Sequence, residues 1–194
     1  MFDLYLGREG AFLERPFCVF GGCPIVSPLR FAKENAEVLV KVARMGMVGD
    51  VAIAAQAGAT APAPLAGALV QTFAETLACL TVVYLINPDC PMNFGMWPFI
   101  SDLRTGAMSG GSPEQGILSA ACAQIGQHLD LPTGTGCGMS DSKLPDFQGG
   151  AEHASNVAIA ALSGANIIYE SAGMYASLLS ACPESLLMDN DVLG

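Results

Sequence analysis

The sequence predicts an α/β fold built on parallel strands, for two reasons. Short apolar strands alternate with long Ala-rich helices, and successive strands begin roughly 30 to 40 residues apart, a spacing that suits βα units with a helical crossover. Glycines and polar residues gather in the loops after the strands, whereas the loops before them are short turns. Ligands bind at the carboxyl edge of parallel strands in open sheets and in closed barrels. The asymmetry of the loops therefore predicts a small-molecule site at that edge.

The predicted elements follow one another in the order β-α-β-α-β-α-β-α-β. Strands are expected to begin near residues 17, 50, 92, 133 and 166, with helices over residues 28–45, 62–85, 113–129 and 146–162. Ser27 and Ser112 each precede a proline, which is typical of a helix N-terminus, and Asp146 suits the cap of the fourth helix. Residues 1–16 are expected to be irregular.

The strand count leaves two architectures open. An open doubly wound sheet and a (β/α)8 TIM barrel share this local pattern, and the expected strands are little more than half of those a barrel needs. We expect residues 1–194 to form a single domain. An incomplete barrel has unpaired edge strands that favour association, so we also expect a homo-oligomer.

Composition and charge exclude several classes of protein. Apolar residues make up 52% of the chain and charged residues 13%, which is too apolar for a disordered protein. The net charge of −10 disfavours a nucleic-acid partner, because phosphate binding needs a surplus of Lys and Arg. The seven cysteines form no C-x-x-C motif and only two histidines are present, so we expect no metal site. Reduced thiols and the lack of a visible signal peptide predict a cytoplasmic protein.

One apolar segment, residues 65–86, is long enough to be tested as a membrane span. Glu75 would lie near the centre of the bilayer, where a charge costs about 2.5–3.5 kcal/mol. We therefore expect a helix packed on both sides within the protein, and no membrane partner.

The motifs of nucleotide sites and hydrolases are incomplete. Gly134 and Gly136 are followed by Met139, where the dinucleotide motif requires glycine, and no Walker lysine motif occurs. Ser140 lacks the last glycine of a nucleophile elbow, and nothing in the sequence orients His153 towards it. A hydrolase is therefore disfavoured.

The densest polar cluster lies at the junction of the fourth strand and the fourth helix. Asp141, Lys143, Asp146 and Gln148 surround the apolar Leu144. One interpretation is a turn in which the aspartates cap the helix and the lysine pairs with them. The other is a cup of carboxylates and amides at the mouth of the sheet, suited to a cationic substrate.

Other candidate ligand-binding residues follow the third and fifth strands. Asp102 and Arg104 form either an exposed ion pair or a clamp on a ligand. Trp97 and Tyr169 could offer aromatic faces to an ammonium group, although Trp97 also suits a core position. Glu170 directly follows the apolar fifth strand, where a carboxylate is poorly explained by packing alone.

Several segments together resemble the trimethylamine methyltransferase (MttB-like) family, over nearly all of residues 20–191. They are Gly58-Ala-Thr60-Ala-Pro62 with Leu65-Ala-Gly-Ala-Leu-Val70-Gln71, Asp102-Leu-Arg104-Thr-Gly106, Ser112-Pro-Glu114, Ser140-Asp-Ser-Lys143-Leu144-Pro145-Asp146 and Ser163-Gly-Ala-Asn166-Ile-Ile-Tyr169. The motifs are long and occur in order, which makes the resemblance specific.

The resemblance implies a TIM-barrel enzyme that moves a methyl group from trimethylamine to the cobalt of a corrinoid, as in methylamine-dependent methanogenesis. The corrinoid (cobalamin) is carried by a separate partner protein, so we expect no cofactor bound directly to this chain. Family chains are much longer, and this chain is similar to the later part of the barrel.

The resemblance also places pyrrolysine, whose electrophilic ring holds or orients the amine, at the position of Leu144. Leucine cannot do imine chemistry, so either the gene has an amber codon here or the chain belongs to a branch that demethylates quaternary amines such as glycine betaine. An inactive binding fragment is a further alternative. The candidate catalytic residues are Leu144, Asp141 and Glu170, and the candidate substrate-binding residues are Asp146, Gln148, Trp97, Tyr169 and Arg104.

Overall fold

The computed structural model describes all residues 1–194 and contains seven helices and ten strands. In chain order they are α1 (Phe2–Leu6), α2 (Ala11–Glu14), β1 (Phe20–Gly22), β2 (Ile25–Val26), β3 (Arg30–Phe31), α3 (Lys33–Met45), β4 (Gly49–Val51), β5 (Gln56–Ala57), α4 (Leu65–Ile86), β6 (Met92–Gly95), β7 (Phe99–Ser101), β8 (Met108–Ser109), α5 (Pro113–His128), β9 (Thr133–Gly136), α6 (Phe147–Leu162), β10 (Ile167–Tyr169) and α7 (Pro183–Leu193).

The main sheet has five parallel strands in the order β1-β4-β6-β9-β10. A helix connects each strand to the next, and the strand order never reverses along the chain. Because such crossovers are right-handed, a sequential order places all the connecting helices on one face of the sheet. A doubly wound sheet requires a reversal of strand order, so the structure excludes that alternative. The five strands form a curled half-barrel, whereas a complete barrel has eight strands.

The five predicted strands are confirmed, and two of the three predicted caps are also confirmed. The Ser112 hydroxyl accepts a hydrogen bond from the Gln115 N–H at 3.4 Å, and the Asp146 carboxylate accepts one from the Gly149 N–H at 2.9 Å. The cap predicted at Ser27 is wrong. Its hydroxyl donates to another part of the chain, and α3 begins only at Lys33.

Three short features were not expected from the sequence. The residues between β1 and α3 form the antiparallel β2–β3 hairpin. Strands β5, β7 and β8 form a second small sheet in the loops beyond β4 and β6. The first residues, expected to be irregular, form α1 and α2. In each case a few residues pair or pack with a partner that local periodicity does not reveal.

The main core lies between the convex face of the sheet and its helices. Val51, Phe94 and Met96 are fully buried on this face, where they pack into apolar clusters with residues of α3, α4 and α5. Side chains alternate between the two faces of a strand. The residues before Val51 and Phe94, namely Asp50 and Asn93, therefore lie on the concave face.

Helix α4 is the one helix that is long and apolar enough to cross a membrane by length and composition. The expectation that it is packed on both sides is wrong, because Val70, Tyr84 and Leu85 on its outer side are 65% or more exposed. Its inner side carries Glu75, which is 1% exposed. The Glu75 carboxylate accepts hydrogen bonds from the Ser27 hydroxyl at 2.6 Å and from two further donors, so protein groups satisfy this buried acid.

Candidate functional site

The concave face of the half-barrel is polar and aromatic. Asp50 on β4 and Asn93 on β6 are paired in register, and the Asn93 amide donates to Asp50 Oδ1 at 2.7 Å. Tyr169 on β10 reaches Asp50 and Asn93 from the other side of β9. It can do so because Gly134 of β9, which lies between them, has no side chain. A Cβ at Gly134 would lie 2.4 Å from the Asn93 amide nitrogen and 2.6 Å from the Tyr169 ring.

Trp97 and Tyr169 form an aromatic pair above the acid and amide. Their ring centroids are 4.7 Å apart with planes inclined by 33°. Gly136 of β9 lies beside the pair, and a Cβ at that position would lie 2.8 Å from the indole ring. The two aromatic faces predicted from the sequence therefore belong to one surface, next to the carboxyl ends of β6, β9 and β10.

Two carboxylates on this wall have no basic partner. Asp50 is 3% exposed and Glu170 is half-buried, and the three salt bridges of the chain involve other residues. Burial raises the pKa of both carboxyl groups, although hydrogen bonds from Asn93 and Tyr169 partly offset this for Asp50. Partial burial of the thiol group, followed by the charges of Asp50 and Glu170, raises the pKa of Cys23.

A larger cavity of about 820 Å³ opens at the mouth of the half-barrel. Asp141 lines it and accepts hydrogen bonds from the hydroxyls of Ser109 and Ser177 and, at 2.8 Å, from the Gly110 N–H. Burial alone would raise the pKa of Asp141, but these hydrogen bonds outweigh it and leave the pKa below its ordinary value. Asp141 thus joins three loops around the cavity as an ionised carboxylate.

The segment after Asp141 is held mainly by structural contacts. Asp146 caps α6 and accepts from the Ser142 hydroxyl at 2.9 Å, and hydrogen bonds from Gly149 and Ser142 lower its pKa. Lys143 donates to the Asp141 backbone carbonyl at 2.7 Å and lines the mouth cavity. The capping interpretation is confirmed for Asp146, whereas the predicted pairing of Lys143 with an aspartate side chain is not present.

The remaining predicted residues of the mouth differ in exposure. The Leu144 side chain is 66% exposed. Gln148 donates to Glu152 at 2.8 Å. Arg104 is 90% exposed and forms a salt bridge of 3.3 Å with Asp102, which lines the mouth cavity. Of the two interpretations left open for this pair, the exposed ion pair is present.

The structure also tests whether Ser140 and His153 form the nucleophile and base of a hydrolase, an interpretation that the sequence disfavours. The Ser140 hydroxyl donates to Glu152 at 2.6 Å and not to His153. Both His153 ring nitrogens have other partners, Asp189 at 2.6 Å and the Met174 carbonyl at 3.1 Å. The expectation that nothing orients His153 towards Ser140 is confirmed, because Asp189 orients the ring instead and ties α6 to α7.

Comparison with known proteins identifies the family. The family model described as trimethylamine methyltransferase (MTTB) matches residues 1–194. The chain belongs to the trimethylamine methyltransferase family. Similar proteins include trimethylamine methyltransferase MttB of Methanosarcina thermophila, which is 35% identical over 190 residues, 98% of this chain and 39% of the relative. The chain thus spans well under half the length of the relatives that it matches.

Two further relatives show the range of this family. Trimethylamine methyltransferase MttB of Methanosarcina barkeri is 36% identical over 98% of this chain and 38% of the relative. The glycine betaine methyltransferase of Desulfitobacterium hafniense is 33% identical over 87% of this chain and 35% of the relative. Both relatives are named as methyltransferases, and their names differ in the methylated amine.

In this family member the predicted site residues fall into two groups. Trp97, Tyr169 and Glu170 lie on the concave wall, whereas the other five lie at the mouth. Of the first group only Tyr169 lines the cavity of about 210 Å³ on the concave side, and of the second group only Asp141 lines the mouth cavity. Sequence reasoning missed Asp50 and Asn93. The signal that could have found them was the position of a polar residue within a short buried strand. The candidate mouth residues are Asp141, Leu144, Asp146, Gln148 and Arg104.

Proposed function

We propose that this chain is part of a methyltransferase that moves a methyl group from trimethylamine to the cobalt of a corrinoid carried by a partner protein. Membership of the family supports a methylated amine as substrate. The observation that carries the proposal is the concave wall, where Tyr169 stacks with Trp97 and reaches the carboxylate of Asp50, which has no basic partner. Glu170, also without a basic partner, directly follows Tyr169 in the chain. Aromatic faces and carboxylates both attract an ammonium cation.

The chemistry requires a positive nitrogen. An uncharged amine is a poor leaving group, so trimethylamine must be protonated or bound as an adduct before its methyl group departs. The methyl carbon then exchanges its bond to nitrogen for a bond formed by the electron pair of Co(I). Nitrogen keeps the electrons of the broken bond and leaves as dimethylamine. The corrinoid cobalt is the methyl acceptor and therefore a substrate.

The residues of this chain position the cation and stabilise its charge. Trp97 and Tyr169 present apolar faces to the methyl groups and exclude water around them. Glu170 supplies a counter-charge, and its buried Oε2 has no hydrogen-bond partner within the protein. The enzyme thus contributes orientation and electrostatics, while cobalt contributes the nucleophile.

A quaternary amine is the second candidate substrate, and Leu144 favours it. Its exposed alkyl side chain has no electrophilic group that could form an adduct with trimethylamine. A quaternary amine needs no such activation, because its nitrogen is already positive. A UAG triplet at codon 144 of the gene would favour trimethylamine, and a leucine codon would favour the quaternary amine.

The test is a methyl-transfer assay with this chain, a cognate corrinoid protein reduced to cob(I)alamin, and either trimethylamine or glycine betaine. We expect the absorbance of cob(I)alamin to change to that of methylcobalamin with one of the two amines. We expect Glu170→Gln to reduce the rate about tenfold or more, since removing one charge-stabilising group typically has such an effect. Asp89→Asn, at an exposed turn, is the matched control.

The outcomes separate the alternatives. No spectral change with any methylated amine would overturn the proposal. Saturable binding of methylated ammonium ions by calorimetry, without turnover, would indicate an inactive binding fragment instead.

A further inference from the structure

One buried ion pair of the chain has no part in the proposed methyl transfer. The side chains of His153 on α6 and Asp189 on α7 are 1% and 3% exposed, whereas each of the other two salt bridges includes an exposed arginine. The second carboxylate oxygen of Asp189 accepts a hydrogen bond from the Gly173 N–H at 2.7 Å. The pair therefore joins α6 and α7 to the segment that follows β10.

This segment, residues 173–180, is called the mouth loop here because residues 176–179 line the mouth cavity. The N–H groups of Ala176 and Ser177 donate at 2.8 and 3.0 Å to backbone carbonyls within residues 140–142. Three consecutive residues of the mouth loop, none of them glycine, have positive φ angles. Such a backbone conformation persists only where contacts with the surrounding structure support it.

The second ring nitrogen of His153 provides one of these contacts. Nδ1 lies 2.6 Å from the Asp189 carboxylate, and Nε2 lies 3.1 Å from the backbone carbonyl of Met174 in the mouth loop. Both neighbours can only accept a hydrogen bond. A neutral imidazole has a single N–H group, so only the imidazolium donates to both. Loss of one proton would leave the lone pair of Nε2 facing the carbonyl oxygen.

The mouth loop contributes one titratable group against this ring, the phenol of Tyr175. The two rings pack with centroids 4.9 Å apart. Burial, followed by the charges of Asp189, Cys182 and Asp146, raises the pKa of Tyr175, so the phenol stays neutral near physiological pH. Cys182 carries a thiol, and thiols can also titrate in this range, so the experiment needs a control for that residue.

The other acids near the mouth loop do not face the imidazole. Asp141 accepts a hydrogen bond from the Ser177 hydroxyl, and its lowered pKa keeps it ionised near neutral pH. Glu152 precedes His153 on α6, but its carboxylate accepts from the Ser140 hydroxyl at 2.6 Å. The remaining acids of α5 and α7 are exposed. Asp189 is thus the carboxylate that the His153 ring contacts.

We infer that His153 is a positioning residue whose second proton holds the mouth loop in place. The imidazolium bridges Asp189 and the Met174 carbonyl. When the proton passes to solvent, the mouth loop loses a charge-assisted hydrogen bond and its backbone becomes less ordered. The wall of the mouth cavity then changes with pH. This inference does not rest on the proposed function, because its tests measure protonation and loop order instead of methyl transfer.

The first experiment measures the protonation of the ring by NMR. His153 and the exposed His128 are the only histidines of the chain, so the spectrum of His128→Gln assigns the ring ¹⁵N resonances. Ordinary histidines titrate between about pH 5 and 8, so the titration runs from about pH 5 to 9. We expect the His153 ring to carry two protons at the acid end and to lose one. A ring that stays in one protonation state throughout would overturn the inference.

The second experiment measures loop order by amide hydrogen exchange at Ala176 and Ser177, corrected for the intrinsic effect of pH. We expect their protection to fall about tenfold or more as His153 loses its proton, the effect of losing a hydrogen bond to a charged group. Amides within α4, which packs against α3 and α5, should keep their protection. A purely structural contact would not depend on pH, so equal protection of Ala176 and Ser177 across the titration would refute the proposal.

Variants assign the effect to one residue. His153→Gln cannot be charged, so we expect weak protection of the mouth loop that no longer changes with pH. His128→Gln and Cys182→Ser are matched controls that should keep the wild-type pH dependence. A pH dependence that survives in His153→Gln, or that disappears in Cys182→Ser, would contradict the role of His153.

Circular dichroism shows whether each variant has folded. If His153→Gln does not fold, Asp189→Asn replaces it. Removing the negative charge beside the imidazolium should shift the ring titration and the loss of loop protection to lower pH together. A shift of one transition without the other would separate loop order from the protonation of His153 and overturn the proposal.

Discussion

Asp141 allows the most direct test of how the mouth cavity is held together. Its carboxylate accepts hydrogen bonds from Ser109 at the end of β8, from Gly110 directly after that strand, and from Ser177 near the C-terminal segment. Ala176, Ser177 and Leu178 all have positive φ angles, a conformation that is unfavourable for side-chain-bearing residues and needs support from its surroundings. We therefore predict that Asp141→Ala destabilises the protein.

The expected magnitude follows from the three hydrogen bonds. Each contributes about 1–1.5 kcal/mol at a site that is only partly buried, so the variant should lose about 3–5 kcal/mol of unfolding free energy. In a protein of this size each kcal/mol lowers Tm by about 2–4 °C, which gives a decrease of roughly 6–20 °C. Asp141→Asn keeps one acceptor oxygen and should lose about half as much. Differential scanning calorimetry measures these changes.

The pH dependence provides an independent check. The folded pKa of Asp141 lies below its ordinary value of 3.8, so its stabilising contribution is present above that pH and is lost as the pH falls through the folded value. The difference in Tm between the wild type and Asp141→Ala should be constant near neutral pH and shrink below about pH 4. Asp89→Ala, an exposed position, should melt like the wild type. Equal melting of Asp141→Ala and the wild type, or a pH-independent difference, would refute this reasoning.

Three further predictions concern other buried positions. Glu75→Leu leaves three donors without their shared acceptor and should lower the unfolding free energy by about 2–5 kcal/mol in urea titrations, whereas wild-type stability would contradict this role. Gly136→Ala should displace the Trp97 ring and shift its fluorescence maximum, while Gly150→Ala, which has open space around its Cβ, should not. Asp50→Asn should raise Tm at neutral pH, because the raised folded pKa of Asp50 means that stability falls as the pH rises through it, and the gain should vanish near pH 4. An unchanged or lower Tm would show that the carboxylate is compensated within the protein.

The parts of the fold that local sequence determines were predicted correctly. The main strands and helices follow from the alternation of short strands with long Ala-rich helices, and the caps at Ser112 and Asp146 act within one helical turn. The cap at Ser27 was predicted by the same rule and is wrong, because a long-range acceptor, Glu75, binds the hydroxyl instead. A local signal cannot reveal such competition from a residue far away in the chain.

The candidate site was predicted only in part, for a similar reason. Trp97 and Tyr169 were predicted as aromatic faces for an ammonium group and Glu170 as a carboxylate that follows a strand, and the structure brings Trp97 and Tyr169 together. Asp50 and Asn93 lie within strands, and their pairing depends on the register between β4 and β6. The number of strands could be counted from the sequence, but the sequential order that excludes a doubly wound sheet required the structure.

The glycines of β9 make the ligand wall sensitive to strand alignment. Gly134 and Gly136 face the concave side, whereas Thr133 packs towards Gly126 of α5. A slip of β9 by one residue would exchange the two faces and turn Thr133 and Thr135 inward. The threonine side chains would fill the space across which the Asn93 and Tyr169 side chains meet. Most backbone hydrogen bonds of the sheet would remain. A misaligned protein could therefore retain its secondary structure and lose its ligand, so ligand binding reports correct strand alignment more strictly than helix content does.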